Sequence, residues 1–190
     1  MYTQAALSPD GSRVAVIKND PATGTSDVLV LDAASGKAAP ITSDAAPNTS
    51  PVWSPDGKQI AYVSVIASGN YSAVYRKASD GSGDEELLYK HTPSPLVVLT
   101  DWSADGGLCF CSDSVTYALP LNGDRQAVRL FSGRGGLFSP DGRFIAYSSD
   151  ESGRFELYVA PFGPSGASRS STRALGWVRM KYAYGAQQLA

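Results

Sequence analysis

The sequence predicts an all-β chain of tandem four-stranded sheets, a β-propeller, and three observations carry that reading. First, an apolar or aromatic residue followed by Ser-Pro-Asp-Gly recurs. It reads Leu7-Ser8-Pro9-Asp10-Gly11, Trp53-Ser54-Pro55-Asp56-Gly57, Trp102-Ser103-Ala104-Asp105-Gly106 and Phe138-Ser139-Pro140-Asp141-Gly142. Second, Asp10 and Asp56 lie 46 residues apart, Asp56 and Asp105 49, and Asp105 and Asp141 36. A period of about 40–45 residues with several strands per unit marks propeller blades. Third, a run of strand-forming residues follows every signature.

Those runs are Arg13-Val14-Ala15-Val16-Ile17, Gln59-Ile60-Ala61-Tyr62-Val63, Leu108-Cys109-Phe110-Cys111 and Phe144-Ile145-Ala146-Tyr147. They are apolar on both faces, as strands sandwiched between neighbouring sheets must be. A polar turn and a second strand come next: Val28–Leu31, Ala73–Tyr75, Val115–Leu119 and Phe155–Val159. Turn signals at Ser35-Gly36, Asp80-Gly81, Asn122-Gly123 and Pro164-Ser165-Gly166 close each hairpin. A weaker strand follows, at Pro40–Thr42, Glu86–Tyr89, Val128–Phe131 and Ser171-Thr172, and a segment such as Ser50-Pro51-Val52-Trp53 leads into the next signature. The repeats are expected over residues 5–43, 50–90, 99–131 and 136–172. Residues 173–190 read as a truncated or degenerate fifth, with Tyr184 where the aspartate would sit. Four repeats and a fragment, with an abrupt start at Met1, lead to the expectation of an open arc cut from a six- to eight-bladed ring. Its terminal blades would be exposed for association.

The signature residues Pro9, Asp10, Gly11, Pro55, Asp56, Gly57, Asp105, Gly106, Pro140, Asp141 and Gly142 are read as turn chemistry. Proline presets φ, aspartate bonds the nearby backbone, and glycine accepts positive φ. Trp53, Trp102 and Phe138 are read as fillers between adjacent blades. Gly133-Arg134-Gly135-Gly136 reads as a connector. Cys109 and Cys111, two apart on a strand, share a face and read as small buried hydrophobes.

Composition narrows function by exclusion. The 190 residues are 43% hydrophobic and 18% charged, with a net charge of −2 and no basic cluster, which speaks against a nucleic-acid surface. No run approaches the roughly 18 apolar residues of a membrane helix, and no signal peptide is visible. The single histidine, His91, lies in Lys90-His91-Thr92-Pro93 and is expected in a loop. No nucleophile elbow, phosphate loop or metal-ligand spacing accompanies it. The acidic turns Asp20–Asp27 and Asp150–Glu156 lack calcium-loop spacing. Asn48-Thr49-Ser50 and Asn70-Tyr71-Ser72 match the glycosylation sequon. No catalytic residue, cofactor or metal is expected.

Val52-Trp53-Ser54-Pro55-Asp56-Gly57-Lys58-Gln59-Ile60-Ala61-Tyr62 and Phe138–Asp150 resemble the TolB-type, WD-like repeats of bacterial propellers, a likeness that covers residues 5 to about 166. Asp150-Glu151-Ser152-Gly153-Arg154-Phe155-Glu156-Leu157-Tyr158-Val159-Ala160-Pro161-Phe162 resembles a segment of propellers fused to bacterial serine/threonine kinases. Ser171-Thr172 and Trp177-Val178-Arg179-Met180 echo that group without its glycines and aspartate. The resemblance implies a non-catalytic sensor or interaction module with a protein or peptide partner, and an extracytoplasmic setting. A second expectation is the propeller part of a larger enzyme, such as a prolyl-oligopeptidase-like peptidase whose catalytic domain lies elsewhere. A third, catalysis by channel carboxylates, has no carboxylate pair to support it.

Overall fold

The computed structural model describes residues 1–94, 96–163, 166–167 and 173–174. Four antiparallel sheets follow one another in chain order. Blade 1 is β1 (Tyr2–Leu7), β2 (Arg13–Asn19), β3 (Ser26–Asp32) and β4 (Ala38–Pro40). Blade 2 is β5 (Asn48–Trp53), β6 (Gln59–Ile66), β7 (Tyr71–Ala78) and β8 (Glu86–His91). Blade 3 is β9 (Val98–Trp102), β10 (Gly107–Ser112), β11 (Val115–Pro120) and β12 (Val128–Ser132). Blade 4 is β13 (Arg134–Phe138), β14 (Phe144–Ser149) and β15 (Glu156–Gly163), with β16 (Gly166–Ala167) and β17 (Arg173–Ala174) both paired to β15. The helical content of the described residues is one 3-10 turn at Ala67–Gly69. First strands meet first strands, β1 on β5, β5 on β9 and β9 on β13, so the blades stand in an open arc. This is the expected β-propeller architecture.

Several local expectations change. The lead-in segments are full strands that pair with the strand after the signature, so each Ser-Pro-Asp-Gly is the first hairpin turn within a blade. Of the expected connector Gly133–Gly136 only Gly133 links two strands, because β13 begins at Arg134 and pairs with β14. His91 is not in a loop, since it ends β8 opposite Ser72. Pro93, which prompted the loop reading, acts only two residues later. Blade 4 takes in Arg173–Ala174, past the expected boundary at 172. Ser171-Thr172 and the degenerate repeat beyond Ala174 lie outside the described residues.

The interfaces between blades obey a size alternation written in the second strands. In β6, Ile60 and Tyr62 pack back against Ala15, Ile17, Val28 and Val30 of blade 1. Their neighbours Ala61 and Val63 face forward, against Leu108, Phe110 and Leu119 of blade 3. Cys109 faces forward in its turn, into a cluster with Ile145, Tyr147 and Tyr158 of blade 4. At the junction of blades 2 and 3 a small forward face, Ala61 and Val63, therefore meets a large backward one, Leu108 and Phe110. Ile60, Tyr62, Phe110 and Ile145 are completely buried. Each contributes about 1.5–3 kcal/mol of apolar burial. Aromatic rings bridge the junctions, with Phe131 of blade 3 stacked on Tyr147 of blade 4.

Candidate functional site

The signature turns are built by one hydrogen-bond relay. Ser8 Oγ donates to Asp10 Oδ1 at 2.7 Å, the Ser12 N–H donates to the same oxygen at 3.0 Å, and the Arg13 N–H donates to Ser8 Oγ at 2.9 Å. The relay repeats from Ser54 to Asp56, with Lys58 and Gln59, and from Ser139 to Asp141, with Arg143 and Phe144. Gly11, Gly57, Gly106 and Gly142 sit at φ between 69° and 88°, where a side chain would be strained. The third turn is one residue shorter: Gly107 donates directly to Ser103 Oγ, and Asp105 receives only the serine hydroxyl, at 2.5 Å. The Ser8 hydroxyl, then the Ser12 amide, hold the Asp10 carboxyl down at about 2. Ser139 and the Arg143 amide do the same for Asp141, also at about 2, and Asp56 is lowered chiefly by Ser54. The aspartates are committed to turns.

Each first strand carries a register irregularity just before its signature: between Thr3 and Ala5, Thr49 and Val52, Leu99 and Asp101, and Arg134 and Leu137. Such bulges bend a strand and re-aim its side chains. They also tie blade to blade. Gln4, at φ 48°, accepts the N–H of Ser50, at φ 55°, on Oε1 at 2.7 Å. Thr100 Oγ1 donates to the Gly136 carbonyl at 2.7 Å. Trp53 Nε1 donates to the Ala6 carbonyl at 2.8 Å. Arg13 reaches from blade 1 to the Gly57 carbonyl and to Ser79 Oγ, with its guanidinium over the Trp53 ring.

The ends of the four first strands and their turns enclose a groove of about 480 Å³. Its apolar wall comes from Ala6, Leu7, Val52, Trp53, Trp102 and Phe138. The signature prolines Pro9, Pro55 and Pro140 form the rim, with Ala104 in the third position. The four signature aspartates and glycines do not line it. Asp105, Asp141 and Gly142 instead border a neighbouring depression of about 420 Å³ between the third and fourth turns.

One residue that sequence reasoning passed over stands in this groove. Asp101 immediately precedes Trp102, a position held by Ala6, Val52 and Leu137 in the other blades. Its Oδ1 accepts the Trp102 N–H at 2.8 Å, and its Oδ2 accepts the Phe138 N–H of blade 4 at 2.7 Å. Burial holds its carboxyl above the ordinary range, against the lowering effect of those two amides. It is the one ionisable side chain among the described residues lining the groove. The break in an otherwise apolar column was the available signal.

Other candidates are placed elsewhere. His91 packs against Tyr89, Phe110 and Tyr117, an aromatic setting without a nucleophile. Cys109 and Cys111 are buried free thiols on the forward face of β10, and burial pushes the Cys109 thiol far up. Asn48 is fully buried and donates to Asp44 and Ala46, while the Asn70 amide donates to the Pro93 carbonyl. Among the described residues no three His, Cys, Asp or Glu side chains converge as metal ligands. No helix among them is long and apolar enough to cross a membrane.

This arc of blades superposes on TolB from Acinetobacter baumannii with a TM-score of 0.71, at 21% identity. The overlay covers 93% of this chain and 43% of that one. The fold is that of a TolB-like β-propeller. A putative TolB from Agrobacterium tumefaciens gives a TM-score of 0.73 at 22% identity, covering 94% of this chain and 62% of its own. In sequence, the chain is 29% identical over 109 residues to a protein of Bacillus subtilis named "Uncharacterized peptidase YuxL", a stretch covering 55% of this chain and 16% of that protein. The chain thus spans less than two thirds of each of these proteins, and as little as 16% of YuxL. No family model matches it.

Proposed function

We propose that this chain is a non-catalytic binding module of a larger protein, and that it takes a protein or peptide segment in the groove at the signature ends of β1, β5, β9 and β13. One observation carries the reading. All four blades contribute to a single concave, largely apolar surface with two indoles and a phenyl ring at its wall, the composition that recognition surfaces favour. Sensor region of a bacterial serine/threonine kinase is the context that the resemblance of residues 150–162 favours. The similarity to YuxL favours a second reading, the propeller part of a peptidase whose catalytic domain lies outside these residues.

Display of a random peptide library on phage, selected against the purified chain, tests the module. Enriched peptides should shift the indole N–H resonances of Trp53 and Trp102 and saturate. Peptides that bind only along the outer strands β4, β8 and β12 would overturn the assignment to the groove. Sequencing the gene on both sides separates the contexts, through a kinase or a hydrolase frame.

A further inference from the structure

Among the described residues that line it the groove has one charge, and its sign is negative. Among the described residues its lining holds no lysine, arginine or histidine, and Asp101 is its single carboxylate. The carboxylate is fixed in place: one oxygen accepts the Trp102 N–H and the other the Phe138 N–H, from two different blades. A carboxylate offers about four lone-pair sites, so roughly two stay open for a ligand. Trp102 and Phe138 line the same groove, and aromatic faces attract cations. Arg13 is engaged with Gly57 and Ser79, covers the face of the Trp53 ring and does not line the groove.

Resting on the proposed groove, we infer that the site selects a cationic group: the Asp101 carboxylate, beside the Trp102 and Phe138 rings, receives the ammonium or guanidinium of a Lys or Arg side chain on a bound peptide. The signature residues do not supply this preference, because their aspartates are spent in turns. The substitution of Asp for the apolar residue of the other three blades supplies it. Burial already disfavours the charged carboxylate in the empty groove. A bound cation reverses that balance, so ligand affinity and ionisation of Asp101 rise together. No other titratable side chain among the described residues lines the groove. Cys109, across the β9–β10 ladder from Asp101, stays a neutral thiol.

The test uses capped tripeptides, acetyl-Ala-Xaa-Ala-amide with Xaa as Lys, Arg, norleucine or Glu, titrated against the chain by NMR of the Trp53 and Trp102 indoles. The Lys and Arg peptides should bind about tenfold more tightly than the norleucine peptide at pH 7, with the Glu peptide weakest. Asp101→Asn should erase the contrast between Lys and norleucine, while Asp105→Asn, outside the groove, should keep it. Should Asp101→Asn fail to fold, a pH series on the unaltered chain carries the same discrimination. The advantage of the Lys peptide should shrink as pH falls through the raised range of Asp101, and the norleucine affinity should stay level. Equal binding of Lys and norleucine peptides in the groove overturns the inference and leaves the groove as a binding site. Absence of any indole shift with all four peptides overturns both.

Discussion

Gly136 offers the sharpest test of how the blades fit together. It lies in the bulge of β13, where an added Cβ would stand 2.5 Å from Cys109 Sγ, 3.0 Å from Thr116 Cγ2 and 3.2 Å from Ile145 Cδ1. Non-bonded heavy atoms prefer about 3.5–4.0 Å, so the first contact is roughly 1 Å too short. Cys109 is completely buried on β10 between two paired strands and has little room to step aside. The φ of Gly136 is not in the left-handed region, so alanine is tolerated by the backbone and the cost is steric. Gly136→Ala should therefore destabilise the chain by about 1–3 kcal/mol. With a urea slope of about 1–3 kcal/mol/M, the midpoint falls by on the order of 1 M. Cys109→Ala alone removes one sulfur and should cost about 1 kcal/mol. The double variant should regain about 1 kcal/mol or more relative to additivity, because each change makes room for the other. Equilibrium unfolding in urea, followed by tryptophan fluorescence at unchanged slope, measures all three. Additive single effects, or a harmless Gly136→Ala, would refute the close approach of β13 to β10.

Three further outcomes follow from the polar contacts. Asp10 and Asp141 have folded-state values of about 2, below the ordinary 3.8, so their stabilisation is complete above about pH 4 and is lost as pH falls toward 2. Carbon-13 NMR titration of the carboxyls should find both depressed and Ser8→Ala should raise Asp10; ordinary values would contradict the relay. Burial lowers His91 below its usual 6.5, only partly offset by Asp113, so charging it opposes folding and stability declines as pH falls from about 6.5 toward the folded value. His91→Phe, fitting among Tyr89, Phe110 and Tyr117, should remove that decline from a series of urea midpoints between pH 7 and 5. Trp53→Phe keeps a ring but loses the 2.8 Å bond to Ala6, and should cost at least about 1 kcal/mol in the same melts.

The fold was legible because its determinants are local and repeated. Ser-Pro-Asp-Gly specifies a hairpin turn from four adjacent residues, and the Ile60-Ala61-Tyr62 run specifies both a strand and, through its sizes, the direction of stacking. What escaped was pairing across the signature. Nothing local in Val52-Trp53 says whether it ends one blade or opens the next; its hydrogen bonds to Ile60 and Ala61 decide that. The glycines at 133–136 misled for a related reason. Glycine usually punctuates, but at Gly136 it is required by the approach of Cys109, a residue 27 positions earlier that no local pattern connects to it.

The candidate site was less legible, and the physics of repetition explains why. Residues that recur in register are those that every blade needs in order to fold, so the signature aspartates are consumed in hydrogen bonds and have little left to offer a ligand. Specificity has to come from positions where the repeat is broken. The bulges are such positions, since an extra residue costs ladder bonds and is kept only where it re-aims the chain. Gln4 and Thr100, both at bulges, reach the adjacent blade with side-chain hydrogen bonds. Asp101, one residue beyond Thr100, breaks the apolar column formed by Ala6, Val52 and Leu137. In a repeat protein of this kind, the consensus therefore reports the scaffold, and the departures from it, such as Asp101 at the end of β9, are the positions to test for ligand choice.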